Sequence, residues 1–199
     1  MKVFFVHHST GEIYWNGTAA KGGMEHYLTK HGYTGEAPWW DGETDPEDFY
    51  TLLGDENSWT TFGDADIIIF KSCFPSSAIS SDEMLDQYKD YYNQLYSIYE
   101  SHPDILFVPM STPPLPKEIT NADEATRAIA FDQWLTTDYL NDFSGANLAP
   151  FELHHLLDNK VGYLKKEYVT DLNDGHPKNK AGVKVGKAIW KHLNEALGI

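Results

Sequence analysis

A chain of 199 residues, 41% hydrophobic and 23% charged, is long enough to bury one α/β core and holds no low-complexity tract. Its formal net charge of −15 repels phosphate backbones and anionic lipid, which argues against nucleic-acid and membrane-surface partners, and no apolar run approaches the length of a membrane span. The single cysteine, Cys73, excludes an intrachain disulfide, and the opening "MKVFFVHHS" has too short an apolar run for a signal-peptide core, so the sequence suits the cytoplasm, or export only after removal of a leader.

Taken in chain order, Lys2 to Val6 reads as a strand buried on both faces, running straight into His7-His8-Ser9-Thr10-Gly11. A helix is expected over Thr18 to His31, after the Asn16-Gly17 turn, and a second strand over Tyr33 to Trp40, interrupted by Gly35 and Pro38. The acidic stretch Asp41 to Phe62 is irregular, with a short helix from Glu47 to Leu53 opened by Pro46. "ADIIIF", Ala65 to Phe70, is the clearest strand. Ser80 with Glu83 reads as a capping box, and Met84, Tyr88, Tyr91, Tyr92, Leu95, Ile98 and Tyr99 keep helical spacing as far as His102. "ILFVPM", Ile105 to Met110, is the next strand, and the "STPPLP" after it cannot be helical. Asn121 with Glu124 is a second capping box, for a helix reaching about Leu140. Asn147 to Phe151 is a short fifth strand, and Lys178 to Leu197 a final amphipathic helix.

This alternation predicts a parallel sheet with helices on both faces, in a single domain over residues 1–199. Ligands bind such folds at the carboxyl ends of the strands. Chemistry is therefore sought at "HHSTG", "WWDG", "KSCFPSS", "MSTPP" and "ELHH". Ser9 follows the first strand, and His176 stands in "DLNDGHPKNKAG" before the last helix. A serine nucleophile needs a histidine base, a group that orients the histidine, and N–H donors facing the oxyanion. Alone, each of the two also reads blandly, as a turn serine and a surface histidine. His7 and His8 are adjacent at a strand end, so their side chains diverge, and no metal site is expected there. One of the pair is expected to pack under the sheet edge and the other, His8, to line the cleft. Lys71 adds positive potential beside the cleft or pairs with a surface carboxylate. Trp40, with Trp15, Trp39 and Trp59, either offers a ring to a sugar or covers the sheet edge. Cys73 reads as a small buried hydrophobe at the cleft wall. The acidic run Asp41 to Glu56 reads as a solvated loop before a calcium site.

"VFFVHHSTG", with Ser9, and "DGHPKNKAG", with His176, resemble the first and last blocks of the SGNH (GDSL-like) hydrolase superfamily, with "KSCF" and "STPPL" in order between them. The resemblance spans nearly the whole chain. It implies a three-layer α/β/α sandwich on five parallel strands in the order 2-1-3-4-5, and no cofactor. It further implies ester hydrolysis with Ser9 as nucleophile, His176 as base and an acidic residue orienting the base. The superfamily's aspartate stands three residues before its histidine, where this chain has Asn173; Asp174 is the first choice, with Asp171 and Glu152 as alternatives. The superfamily's Gly-Asp before the serine is His7-His8 here, and its Gly-x-Asn block is Lys71-Ser72-Cys73. The implied oxyanion donors are the Ser9 N–H, the Gly42 N–H and the Ser72-Cys73 loop. The implied partner is a small-molecule or glycan ester, such as an acetyl or short acyl group on a carbohydrate. A fold of this kind that had lost its chemistry would instead be a glycan-binding protein.

Overall fold

Alternate side chains of a parallel strand pack against two different layers, so a strand covered on both faces is apolar throughout. The computed structural model, which describes residues 1–38 and 44–199, builds three of its four strands this way. β1 (Lys2–Val6) leads into α1 (Thr10–Asn16) and α2 (Met24–Lys30), followed by β2 (Thr34–Glu36). Helices α3 (Phe49–Gly54) and α4 (Glu56–Phe62) precede β3 (Ile67–Lys71). Helices α5 (Asp82–Gln94) and α6 (Tyr96–Ser101) precede β4 (Leu106–Met110). The chain ends with α7 (Ala122–Thr136), α8 (Asp138–Asp142), α9 (Leu153–Leu157) and α10 (Asn179–Leu197). All strand pairs are parallel, in the order β2-β1-β3-β4.

Two cores sandwich this sheet. Val3, Phe5, Ile67, Ile69 and Val108 face Tyr14 of α1, Leu28 of α2 and Val185 and Ile189 of α10. The alternate residues Phe4, Val6, Ile68, Phe70 and Phe107 face Phe49 of α3, Tyr92 of α5 and Phe131 of α7. Each such side chain, taken fully out of water, stabilises the fold by about 1.5–3 kcal/mol. The architecture is the expected three-layer α/β/α sandwich.

The fifth strand is where the expectation is corrected. Asn147 to Phe151 lies along β4 but closes only two isolated parallel bridges, Phe107 with Leu148 and Met110 with Phe151. Proline supplies the reason. Phe107 N donates to Asn147 O, Ala149 N to Phe107 O and Phe151 N to Pro109 O, each at 2.9 Å, but Pro109 has no N–H to return to Ala149. The Ala149 carbonyl accepts instead from Nε2 of His192, on α10, at 3.0 Å.

Several helix limits also move. The cap of α5 is Ser81, not Ser80: its hydroxyl accepts from Met84 N at 3.2 Å. The tyrosine-rich helix breaks at Leu95 into α5 and α6. The Asn121–Glu124 capping box forms as read, but α7 stops at Thr136 and α8 is separate. The helix expected over Thr18 to His31 shrinks to α2, because Gly22 and Gly23 weaken its first half. The short helices α1 and α4 lie in stretches read as a loop and as irregular chain. His154 and His155, in the "ELHH" stretch, lie on α9. No described helix is long and apolar enough to cross a membrane.

The His192 bond carries a prediction. His192→Leu leaves the buried Ala149 carbonyl without a donor and is expected to cost about 1–3 kcal/mol of unfolding free energy in urea titration. An unchanged midpoint would show that the carbonyl finds another donor.

Candidate active site

Ser9 leaves the carboxyl end of β1 and opens α1 with φ 48° and ψ −108°, a backbone region that L side chains rarely adopt. A residue held there costs about 1–3 kcal/mol and persists only where its surroundings over-determine it. Its hydroxyl donates to Nε2 of His176, 167 positions further along the chain. His176 Nδ1 donates to Asp174 Oδ1 at 2.6 Å, and the His176 backbone N donates to the same oxygen at 3.0 Å. The ring thus carries its proton on Nδ1 and presents a bare Nε2 to the serine. The His176 ring bond, and then its backbone N–H, hold the Asp174 carboxyl below the usual range.

The three carboxylates weighed for His176 are now separated. Asp174 meets the ring. Asp171 shapes the turn instead: its Oδ1 accepts from Asn173 N at 2.9 Å and its carbonyl from Asp174 N at 3.3 Å. Glu152 lines a different cleft, with Asp132, His154 and Asp158. Burial there, with Glu152 nearby, pushes the Asp132 carboxyl up to about 6.

Phe74 closes one side of the site, its ring edge-on to His176 with 4.9 Å between centres. Gly175 makes that approach possible, because a β carbon there would fall 2.2 Å from the Phe74 ring. Phe74 was missed in the sequence; its only signal is an aromatic residue directly after "KSC".

His7 and His8 part as expected. His8 is half-buried beside Ser9, with Nδ1 2.7 Å from Thr44 Oγ1. His7 is buried, donates from Nε2 to the Ala37 carbonyl at 3.2 Å, and packs beneath α1 at Gly11, where a β carbon would stand 2.3 Å from the His7 side chain. Burial first, and the Lys71 cation second, lower His7 to about 4.

Lys71 forms no pair with a surface carboxylate among the described residues. It is 0% exposed, its Nζ lies 6.0 Å from the centre of the Tyr14 ring, and no hydrogen-bond partner meets it among the described residues. Burial lowers its ammonium to about 8. Ser72 and Cys73 are also buried; the Ser72 hydroxyl is unpartnered and Cys73 precedes the single-turn helix at Phe74–Ser77. Trp15 is buried on Phe5, and Trp59 stacks on His102, before β4 at the opposite edge of the sheet. Gly42, Trp39 and Trp40 lie outside the described residues.

No family model and no curated protein matches the chain. Solved structures match its fold. A lipase from a goat rumen metagenome is 12% identical, over 96% of this chain and 97% of that one, with a TM-score of 0.69. An acetyl xylan esterase is 14% identical, over 97% and 100%, with a TM-score of 0.62. A GDSL-like lipase from Bacteroides thetaiotaomicron is 12% identical, over 98% and 88%, with a TM-score of 0.58. The chain has the fold of the SGNH (GDSL-like) hydrolases, in a sequence far diverged from these neighbours.

His7 sets a pH dependence. Folded, it stays neutral down to about 4, while an unfolded histidine titrates near 6.5. With the folded value lowered, this contribution is complete above pH ~6.5 and is lost as pH falls towards the folded value, at about 1.4 kcal/mol per unit, or roughly 3 kcal/mol. Denaturant unfolding at about pH 7 and about pH 4.5 is expected to show the drop in the wild-type protein and a shallower one in His7→Gln. Equal slopes would remove His7 as its source.

Proposed function

We propose that this protein is a serine hydrolase of the SGNH type that cleaves a small-molecule or glycan ester. The observation that carries the reading is the hydrogen-bonded chain from Ser9 through His176 to Asp174. Ser9 Oγ attacks the ester carbonyl carbon while its proton passes to His176 Nε2. The tetrahedral oxyanion takes hydrogen bonds from the Ser9 N–H and the backbone of the Ser72-Cys73 loop. The bond to the alcohol oxygen then breaks, and the alcohol leaves with the proton from Nε2. A water molecule attacks the acyl-Ser9 carbonyl and gives a proton to Nε2. The acid departs as Ser9 Oγ recovers that proton. Asp174 remains ionised throughout, keeps Nδ1–H in place and stabilises the imidazolium.

An acetyl or short acyl group on a carbohydrate is the proposed substrate class, and the shared fold with an acetyl xylan esterase favours it. His8, half-buried beside Ser9, lines the acyl side of the cleft in this reading, and Trp40 is the candidate sugar platform. The strained backbone at Ser9 favours an enzyme over an inactive glycan-binding protein, since strain of this kind clusters where function uses it.

Two variants test this. Ser9→Ala is expected to lower hydrolysis of p-nitrophenyl acetate by about a thousandfold or more with an unchanged circular dichroism spectrum; a retained rate would sink the reading. Gly175→Ala forces His176 and Phe74 apart, and a shift of about 1 Å at a catalytic group costs roughly a hundredfold in kcat. Wild-type kcat in Gly175→Ala would mean that Phe74 has no part in seating His176.

A further inference from the structure

Unpartnered polar atoms accumulate behind the Ser9 turn. His7 Nδ1 at the end of β1, Thr10 Oγ1 and Tyr14 OH on α1, and Lys71 Nζ and Ser72 Oγ at the end of β3 are all buried without a hydrogen bond. Val6 pairs with Phe70, so His7 and Lys71 are neighbours across β1 and β3. They continue the rows of Val3 and Phe5, and of Ile67 and Ile69, that face the core under α1. The His7 side chain packs beneath Gly11 in the first turn of α1, which Ser9 opens, and Lys71 Nζ lies near the Tyr14 ring one turn further along that helix. From the spacing of strands and residues, the Lys71 backbone stands about 8–10 Å from the Ser9 backbone.

Among the described residues, none forms a hydrogen bond with this cation. The titratable groups that face it are His7 from β1, Tyr14 from α1, Cys73 from the segment after β3 and Asp45 from the loop before α3. Asp45 Oδ1 already accepts from the Ser76 hydroxyl. His7 is neutral, since its Nε2 donates to Ala37 and its Nδ1 is bare. A buried, unpaired ammonium costs stability, and an apolar residue of the same volume would not. In a dry interior its field is also little screened by salt. On the other side of the Ser9 turn, the proposed reaction develops a negative charge, and the segment after β3 supplies no amide side chain to receive it.

We propose that Lys71 is a positioning residue for ester hydrolysis: its unpaired ammonium, fixed behind the Ser9 turn, supplies the positive potential that stabilises the oxyanion. This inference rests on the esterase reading above. A unit charge about 10 Å away through an effective dielectric of about 20 changes the rate by roughly tenfold. Burial lowers the ammonium to about 8, so the charge is present at neutral pH and disappears as the pH rises through that value.

The experiment measures kcat and KM for p-nitrophenyl acetate from about pH 6 to about pH 9.5 in wild type, Lys71→Met and Ser9→Ala, with a melting curve for each. Wild-type kcat is expected to fall roughly tenfold through a step near pH 8. Lys71→Met is expected to have a kcat roughly tenfold lower at neutral pH, an unchanged KM, no step, and a melting temperature at or above wild type. Wild-type kcat at neutral pH in Lys71→Met, or the same step in both proteins, would overturn the inference while leaving the esterase reading intact. If Lys71→Met does not fold, Lys71→Gln takes its place, and a wild-type kcat in that variant at neutral pH overturns the inference. Wild-type activity in Ser9→Ala instead overturns the esterase reading, and the role of Lys71 falls with it.

Discussion

The contact between Ser9 and His176 spans most of the chain, and it exists because a parallel sheet delivers both residues to one edge. The turn after β1 carries Ser9, while the segment before α10 returns His176 to the same carboxyl edge, where Asp174 Oδ1 accepts from both its ring Nδ1 and its backbone N. β1, β3 and β4 are dry on both faces, so they carry almost nothing but aliphatic and aromatic side chains. Polar chemistry is confined to the turns that follow the strands. This constraint gives the fold its economy: a few loop residues face each other, and the layers of the sandwich fix their separation.

Much of this was legible in the sequence, for identifiable reasons. The "ADIIIF" run and the helical stripe from Met84 to Tyr99 are long and periodic, so their type was clear even though Leu95 breaks the helix. Ser9 and His176 were readable through the order of the motifs at the two ends of the chain, since neither residue is distinctive alone. The choice of Asp174 over Asp171 was not decided by spacing. It follows from a turn in which Asp171 accepts from Asn173 and Asp174 while Asp174 is left for His176. Phe74 and Gly175 were hidden for a similar reason: their importance lies in a contact between distant loops. The fifth strand reads well as a pattern, but Pro109 removes the donor that would complete its ladder, a defect that belongs to its neighbour.

The departures from the superfamily pattern fall next to the serine. His7 replaces a small residue with a ring that fills the space under α1, and Lys71 stands one strand away in the same buried layer. Burial makes the one neutral and leaves the other without a bonded partner. An unpaired buried cation is among the least favourable groups a core can hold. Its place at the end of the core under α1, next to the serine turn, is what ties it to the proposed chemistry.

The central claim is that Ser9 is an activated nucleophile. The most direct measurement is intact mass and peptide mapping after treatment with a fluorophosphonate probe, which forms a covalent bond only with a serine whose proton has a ready acceptor. The account predicts one adduct per chain, mapped to Ser9 and lost in Ser9→Ala. An unmodified wild-type protein, or an adduct mapped to another residue, would contradict it.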